Sequence, residues 1–284
     1  KYKPEILVLL TSSYTIYFAK KWKERFGIPV VLSLHNSDVL SPLISQSPSF
    51  VDYYAFSSHK IEKKYLNYHD IDSTKYSVLN FGIEKKEVID LEQKRIKVTE
   101  PLSIISVGRL IPLKNFDILI KAISLCKKDK ICLEIYGEGP ERKKIERLIY
   151  TLGMDKNISL MGEVKKETLL LRMQQADVFV LVSSPETLGI VYLEAMGKGC
   201  ITIGSKREGI DGIIEEGKNG FLCEPKDYVG LSKMIEKIYF MDYFEKYKII
   251  KETINTAREY TNSTIAKKYL ELSTCLIRNK ECIC

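Results

Sequence analysis

The sequence predicts an α/β protein of two doubly wound parallel-sheet domains, the first of them incomplete. Two observations carry this. Apolar runs of strand length alternate with amphipathic helical runs along most of the 284 residues. Polar turns, several with glycine, follow these apolar runs, where open α/β sheets bind ligands. A hydrophobic content of 45% and a charged content of 29% are globular values.

In the first set, residues 6–10, 29–34, 53–57 and 76–79 read as strands, with helices over 14–26 and 58–67. Residues 87–100 are charged with little hydrophobic rhythm and read as a linker region. The first set looks small for a doubly wound domain, and residues 1–10 read as a strand entered mid-domain. The expectation is therefore a fragment or a naturally shortened protein.

The second set follows from Leu102. Strands are expected over 103–107, 132–136, 158–161, 177–182 and 200–204. Helices are expected over 116–126, 140–152, 166–176, 188–197, 228–239 and 243–259. Residues 263–276 add a last amphipathic helix. The expected domains are 1–98 with the linker, 99–260, and a terminal segment 261–284.

The formal net charge of +7 suits anionic partners such as nucleotide phosphates or an anionic membrane surface. Basic residues are dispersed among acidic ones and form no tract with interleaved aromatics, which argues against nucleic acid. No apolar run reaches the roughly 18 residues that span a bilayer, so neither a signal peptide nor an anchor is expected. Seven cysteines without a CxxC pair point to a reducing compartment. Cys126, Cys132, Cys200 and Cys223 fall in apolar patterns and read as core residues, while Cys282 and Cys284 lie at the tail. No metal site is expected.

The most informative run extends from Ser183 to Met196. It places Glu186 and Glu194 with seven residues between them. Ser184 reads as a helix N-cap and Pro185 as part of the first turn. On one helix the two carboxylates would lie about 12 Å apart along the axis. They could reach both ends of an extended ligand whose anionic middle sits at the helix N-terminus. Taken alone, the first glutamate complements the helix dipole and the second belongs to a solvated face. A buried-strand pattern before the run and glycines after it favour the ligand reading.

Gly108, Arg109 and Lys114 form a second constellation, on the loop after a strand. Glycine lets backbone approach a ligand closely, and the two cations suit phosphate oxygens. Gly137-Glu138-Gly139-Pro140 is a strand–helix turn of the same kind, and residues 205–220 add a glycine-rich loop. Asp70 and Asp72 match a metal-holding DxD pattern but sit in a polar connection that reads as a solvated turn.

Together the motifs GRLIPLKN, YGEGPE, PETLGIVYLEAM and EGIDGIIEEGKNGFLCEP resemble the nucleotide-sugar domain of retaining glycosyltransferases of family 4. They occur in the family's order across residues 102–260. The resemblance implies the GT-B fold, two Rossmann-like domains with a final helix crossing back to the first. It implies a nucleoside-diphosphate sugar as donor, a glycan or lipid-linked acceptor, no cofactor and no metal. By that resemblance Arg109 and Lys114 bind the donor diphosphate, Glu186 the transferred sugar and Glu194 the ribose. Backbone near Glu163 and Val164 faces the base, while Gly108, Gly137, Leu188, Gly189 and Ile190 approach the ligand through backbone or helix N-terminus. More loosely, residues 30–36 resemble the strand leading to a cleft histidine, here His35, and residues 80–83 resemble the family's asparagine-glycine turn, here with Phe81 inserted. His59 and His69 read as surface residues. The variant around Gly209 to Gly212 resembles bacterial enzymes of surface-polysaccharide synthesis, which implies a cytoplasmic enzyme, at most peripheral to a membrane. A non-catalytic nucleotide-sugar-binding subunit and a GT-B sugar-nucleotide epimerase stay open as rivals.

Overall fold

The computed structural model describes residues 4–10, 15–35, 49–97, 101–127 and 130–278. Asn36 of the run 30–36 and the tail cysteines Cys282 and Cys284 lie outside them, as do Tyr14 and the boundary at 98/99. The chain divides into two compact units, one of Lys1–Gly82 with Asn262–Cys284 and one of Ile83–Thr261.

In the first unit, β1 (Leu7–Leu9), β2 (Val30–Leu34), β3 (Tyr53–Phe56) and β4 (Tyr76–Val78) form a parallel sheet in chain order. Helices α1 (Thr15–Phe26) and α2 (His59–Leu66) connect strands of this sheet. Strand side chains alternate between two faces. Leu32, Leu34, Tyr54 and Phe56 pack with Ile16, Ile61 and Tyr65. Val31, Tyr53 and Ala55 pack instead with Leu272, which belongs to the last helix of the chain (Asn262–Ile277). Both faces are covered, so β2 and β3 are buried along their whole length. His69, expected at the surface, is 8% exposed and lies against the Tyr65 ring at 4.3 Å. Asp72 accepts hydrogen bonds from the Thr74 N–H at 2.9 Å and the Thr74 hydroxyl at 2.8 Å, which makes it a turn cap.

The second unit runs β5 (Leu102–Val107), α3 (Phe116–Leu125), β6 (Ile131–Tyr136), α4 (Arg142–Thr151), β7 (Ile158–Gly162), α5 (Lys166–Gln175) and β8 (Val178–Val180). It continues with α6 (Ile190–Gly197), β9 (Ile201–Ser205), β10 (Phe221–Cys223), α7 (Tyr228–Phe240) and α8 (Tyr243–Glu259). The six strands are parallel in the order β10-β9-β8-β5-β6-β7. The chain starts in the middle, winds to one edge and returns to wind to the other, so the order reverses between β5 and β8. The loops after those two strands part to opposite faces and leave a crevice there. Apolar clusters fill both faces, one around Leu119, Ile135 and Ile235, the other around Phe179, Tyr192 and Leu193.

In the second unit four expectations change. Strand β10 was not foreseen. Residues 87–97 are not a loose linker, because Ile89 is buried in the second unit's core and Val88, Leu91 and Ile96 pack on it. Cys132 is exposed, since β6 alternates its faces and this position falls on the outer one. Helix α6 begins at Ile190 after Gly189, not at Ser184-Pro185.

Candidate functional site

The crevice at the switch point is built from three strand-end turns tied together. Gly108 N–H donates to the Tyr136 carbonyl at 3.0 Å, and Gly137 N–H donates to the Gly162 carbonyl at 2.8 Å. Gly137 has φ +133, and a Cβ there would meet the Gly108 carbonyl at 2.1 Å, so only glycine allows the two turns to touch. Between them lies a cavity of about 570 Å³ lined by Gly108, Arg109, Gly137, Glu163, Val164 and others. Arg109 is exposed at its rim. Among the described residues its guanidinium has no hydrogen-bond or ion-pair partner, which leaves its fork open to an anion. Tyr136, another lining residue, donates its hydroxyl to Glu134 at 2.7 Å. Burial and that carboxylate push its pKa up to about 12.

A second group forms where the loop after β5 meets the segment after β8. Pro112–Lys114 is a short 3-10 turn ended by Asn115 in the left-handed region at φ +50. Asn115 Nδ2 donates to the Val182 carbonyl at 2.8 Å, and Ser184 N–H to the Leu113 carbonyl at 2.8 Å. These bonds bring Lys114 Nζ to 2.5 Å from Glu186 Oε2. The Ser183 hydroxyl donates to the same oxygen at 3.0 Å, and Thr187 N–H to Oε1 at 3.2 Å.

Glu186 does not stand on helix α6. It lies in the preceding loop, and Glu208 holds that loop. The Glu208 carboxylate accepts from Glu186 N–H at 2.5 Å and from the Ser184 hydroxyl at 2.8 Å. The expected Ser184 cap is thus replaced by an acid more than twenty residues away in sequence, and the axial spacing drawn for one helix does not apply. Leu188 is buried, Gly189 takes φ +73, and Ile190 opens α6 with its side chain exposed. Under Gly189 the Tyr192 ring is buried, and its hydroxyl donates to the Leu181 carbonyl.

Glu194 is on α6. Its Oε1 pairs with Lys166 Nζ at 3.0 Å, and the same ammonium pairs with Glu87 at 2.7 Å. His35 directly follows β2 in the first unit. Its ring stacks on Phe81 at 4.8 Å, and its Nδ1 is buried without a hydrogen-bond partner among the described residues. Burial lowers its pKa, so the neutral imidazole is favoured.

The second unit therefore gathers Gly108, Arg109, Gly137, Glu163 and Val164 around one cavity and pairs Lys114 with Glu186. Leu188, Gly189 and Ile190 lead into α6, which carries Glu194. His35 belongs to the other unit. Sequence reasoning missed Glu208, Asn115, Lys166 and Glu87. All four act through contacts between distant positions; Asn115 and Glu208 stand inside two of the quoted motifs, but no local pattern gives them those partners. Two cations beside a glycine-lined cavity can hold a diphosphate, and the fixed carboxylates can accept hydroxyl protons.

Residues 88–256 match the family described as Glycosyl transferases group 1. An uncharacterized glycosyltransferase of Methanocaldococcus jannaschii is 31% identical over 166 residues, 58% of this chain and 43% of that protein. The lipopolysaccharide core biosynthesis glycosyltransferase LpsE of Rhizobium meliloti is 30% identical over 135 residues, 48% of this chain and 38% of that protein. The matched region spans less than half the length of these curated relatives. Among solved structures, Anabaena HepE in complex with UDP superposes with a TM-score of 0.80 at 20% identity, covering 95% of this chain and 78% of that one. The lipopolysaccharide outer core galactosyltransferase WaaB in its apo form gives 0.80 at 19% identity, covering 97% and 75%. These likenesses establish the GT-B fold. With three-fifths of its length matched by the family, the chain belongs to the glycosyl transferases group 1.

Proposed function

We propose that the chain is a family 4 glycosyltransferase that transfers a sugar, with retention and without a metal, from a nucleoside diphosphate to a glycan or lipid-linked acceptor. The observation that carries this is the Lys114–Glu186 pair at the switch point, beside a glycine-lined cavity with Arg109 open at its rim. The base would enter that cavity near Glu163 and Val164. Gly108 and Gly137 would let the backbone approach the ligand. The diphosphate would meet Arg109, Lys114 and the start of α6 at Leu188, Gly189 and Ile190. Glu186 would hold hydroxyls of the transferred sugar, Glu194 those of the ribose, and His35 would serve the acceptor side.

The reaction breaks the bond between the anomeric carbon and the diphosphate oxygen. Charge grows on that oxygen, and fixed cations stabilise it most at the transition state. The acceptor oxygen bonds to the anomeric carbon on the same face and its proton passes to the leaving phosphate. No protein nucleophile is required. Arg109 and Lys114 would do the work that a cation does in other glycosyltransferases.

The LpsE relative supports a place in bacterial surface-polysaccharide synthesis. Among the described residues no helix is long and apolar enough to cross a membrane. The enzyme would act in the cytoplasm, and the charge of +7 supports peripheral contact with an anionic membrane surface. A test measures transfer from labelled nucleotide-sugars to lipid and glycan acceptors after chelation. Turnover should survive the chelator. Strict dependence on added manganese or magnesium would remove metal independence, and absence of any diphosphate or nucleotide-sugar binding would remove the whole reading.

A further inference from the structure

Glu194 is held at one oxygen and open at the other. Lys166 takes Oε1, while Oε2 makes no hydrogen bond among the described residues. Lys166 does not act unaided. Its ammonium also meets Glu87, whose side chain is 5% exposed and whose Oε2 has no hydrogen-bond partner among the described residues. A buried carboxylate with one unsatisfied oxygen depends strongly on the cation at its other oxygen. Glu87 therefore fixes the ammonium of Lys166, which is otherwise half-exposed on a flexible stem. Lys198 also faces Glu87, but forms no ion pair with it. Lys166 follows Val164 of the cavity wall by two residues and opens α5.

We propose that Lys166, anchored by Glu87, is a positioning residue that presents the free oxygen of Glu194 to the vicinal hydroxyls of a ribose. It thereby sets the preference for ribonucleoside over deoxyribonucleoside diphosphates. This rests on the donor-site reading above. The physical gain is one of order: a carboxylate already held in place loses little freedom when a hydroxyl binds it.

The test uses the full chain and calorimetry. UDP, GDP and ADP are titrated first. The tightest of them and its 2′,3′-dideoxy counterpart are then titrated into wild type, Lys166→Met and Lys166→Arg. Wild type should prefer the ribose form by about tenfold or more. Lys166→Met should narrow that ratio to about threefold or less, with affinity for the dideoxy form unchanged. Lys166→Arg should restore the ratio. A ratio unchanged in Lys166→Met, or equal weakening of both ligands, overturns the role of Lys166 and leaves the donor site standing. A wild type that binds none of the three diphosphates overturns the donor-site reading and this inference together. One that binds a diphosphate but ignores its ribose overturns the role of Glu194 and the inference built on it.

Discussion

At the residue scale, the two glutamates of the sequence run have different surroundings, and their replacements should separate. Glu186 sits in a loop with both oxygens engaged, one by Lys114 and Ser183 and the other by Thr187 N–H. Glu186→Gln should weaken a nucleotide-sugar while leaving the free diphosphate nearly unchanged, whereas Glu194→Gln should weaken both. A lost charged hydrogen bond costs about 1.5–3 kcal/mol, about tenfold or more in affinity. Side-by-side titrations of the two variants decide this, and wild-type affinities throughout would refute both roles. Arg109→Ala should cost a similar factor for the diphosphate itself. Lys114→Ala should cost at least as much, because it also leaves the Glu186 carboxylate without its cation beside an anionic ligand. Calorimetry showing unchanged diphosphate affinity in both variants would remove the assignment of these cations.

At the scale of elements, the start of α6 and the end of α5 are each fixed by one residue. Gly189 holds φ +73, and a Cβ there would lie 2.6 Å from the Tyr192 ring. Gly189→Ala should cost about 1–3 kcal/mol in urea unfolding and weaken diphosphate binding with it. An alanine variant as stable as wild type would show that the turn is not constrained. Lys94 is buried, and its Nζ donates to the Gln174 carbonyl at 2.9 Å and the Ala176 carbonyl at 2.5 Å, closing α5. Lys94→Met orphans those carbonyls and should destabilise by about 1–3 kcal/mol. Burial depresses the pKa of Lys94 below its ordinary 10.5, despite Asp177 and Cys200 nearby. Between the depressed value and 10.5 the unfolded chain binds more protons than the folded one, so this group's contribution to stability rises with pH. Below that window its burial cost is present in full. Unfolding curves of wild type and Lys94→Met at several pH values should diverge in that direction. Local pattern made most of these elements legible, because burial on two sheet faces writes apolar strand runs directly into the sequence. Strand β10 escaped because Phe221–Cys223 is three residues long inside a glycine-rich stretch. The start of α6 was misread because serine and proline signal a turn as readily as a helix N-terminus. Glu208 opens one of the quoted motifs, but nothing local showed that it would place the Glu186 loop.

At the scale of the whole molecule, the described core clusters divide cleanly by unit. Ile61, Tyr65 and Leu272 belong to clusters of the first unit, and Leu119, Phe179 and Tyr192 to clusters of the second. A diphosphate should therefore stabilise the two units unequally. A ligand at about 100 times its Kd adds about 2.7 kcal/mol to whatever folds around it and nothing to a part that does not bind it. The groups proposed to hold the donor all come from the second unit, on four segments: 108–115, 137–139, 163–166 and 184–194. Hydrogen exchange followed by mass spectrometry, with and without saturating UDP, GDP or ADP, should show slowed exchange in those segments. Strands β2 and β3 of the first unit, already buried along their length, should exchange as before. Local opening sets exchange at the loops, so protection should be largest where backbone N–H groups can meet the ligand, at Arg109 and at Leu188 to Ile190. Protection confined to the first unit, or absent from the four segments while binding is measurable, would place the nucleotide elsewhere and dismantle the site from Arg109 to Glu194.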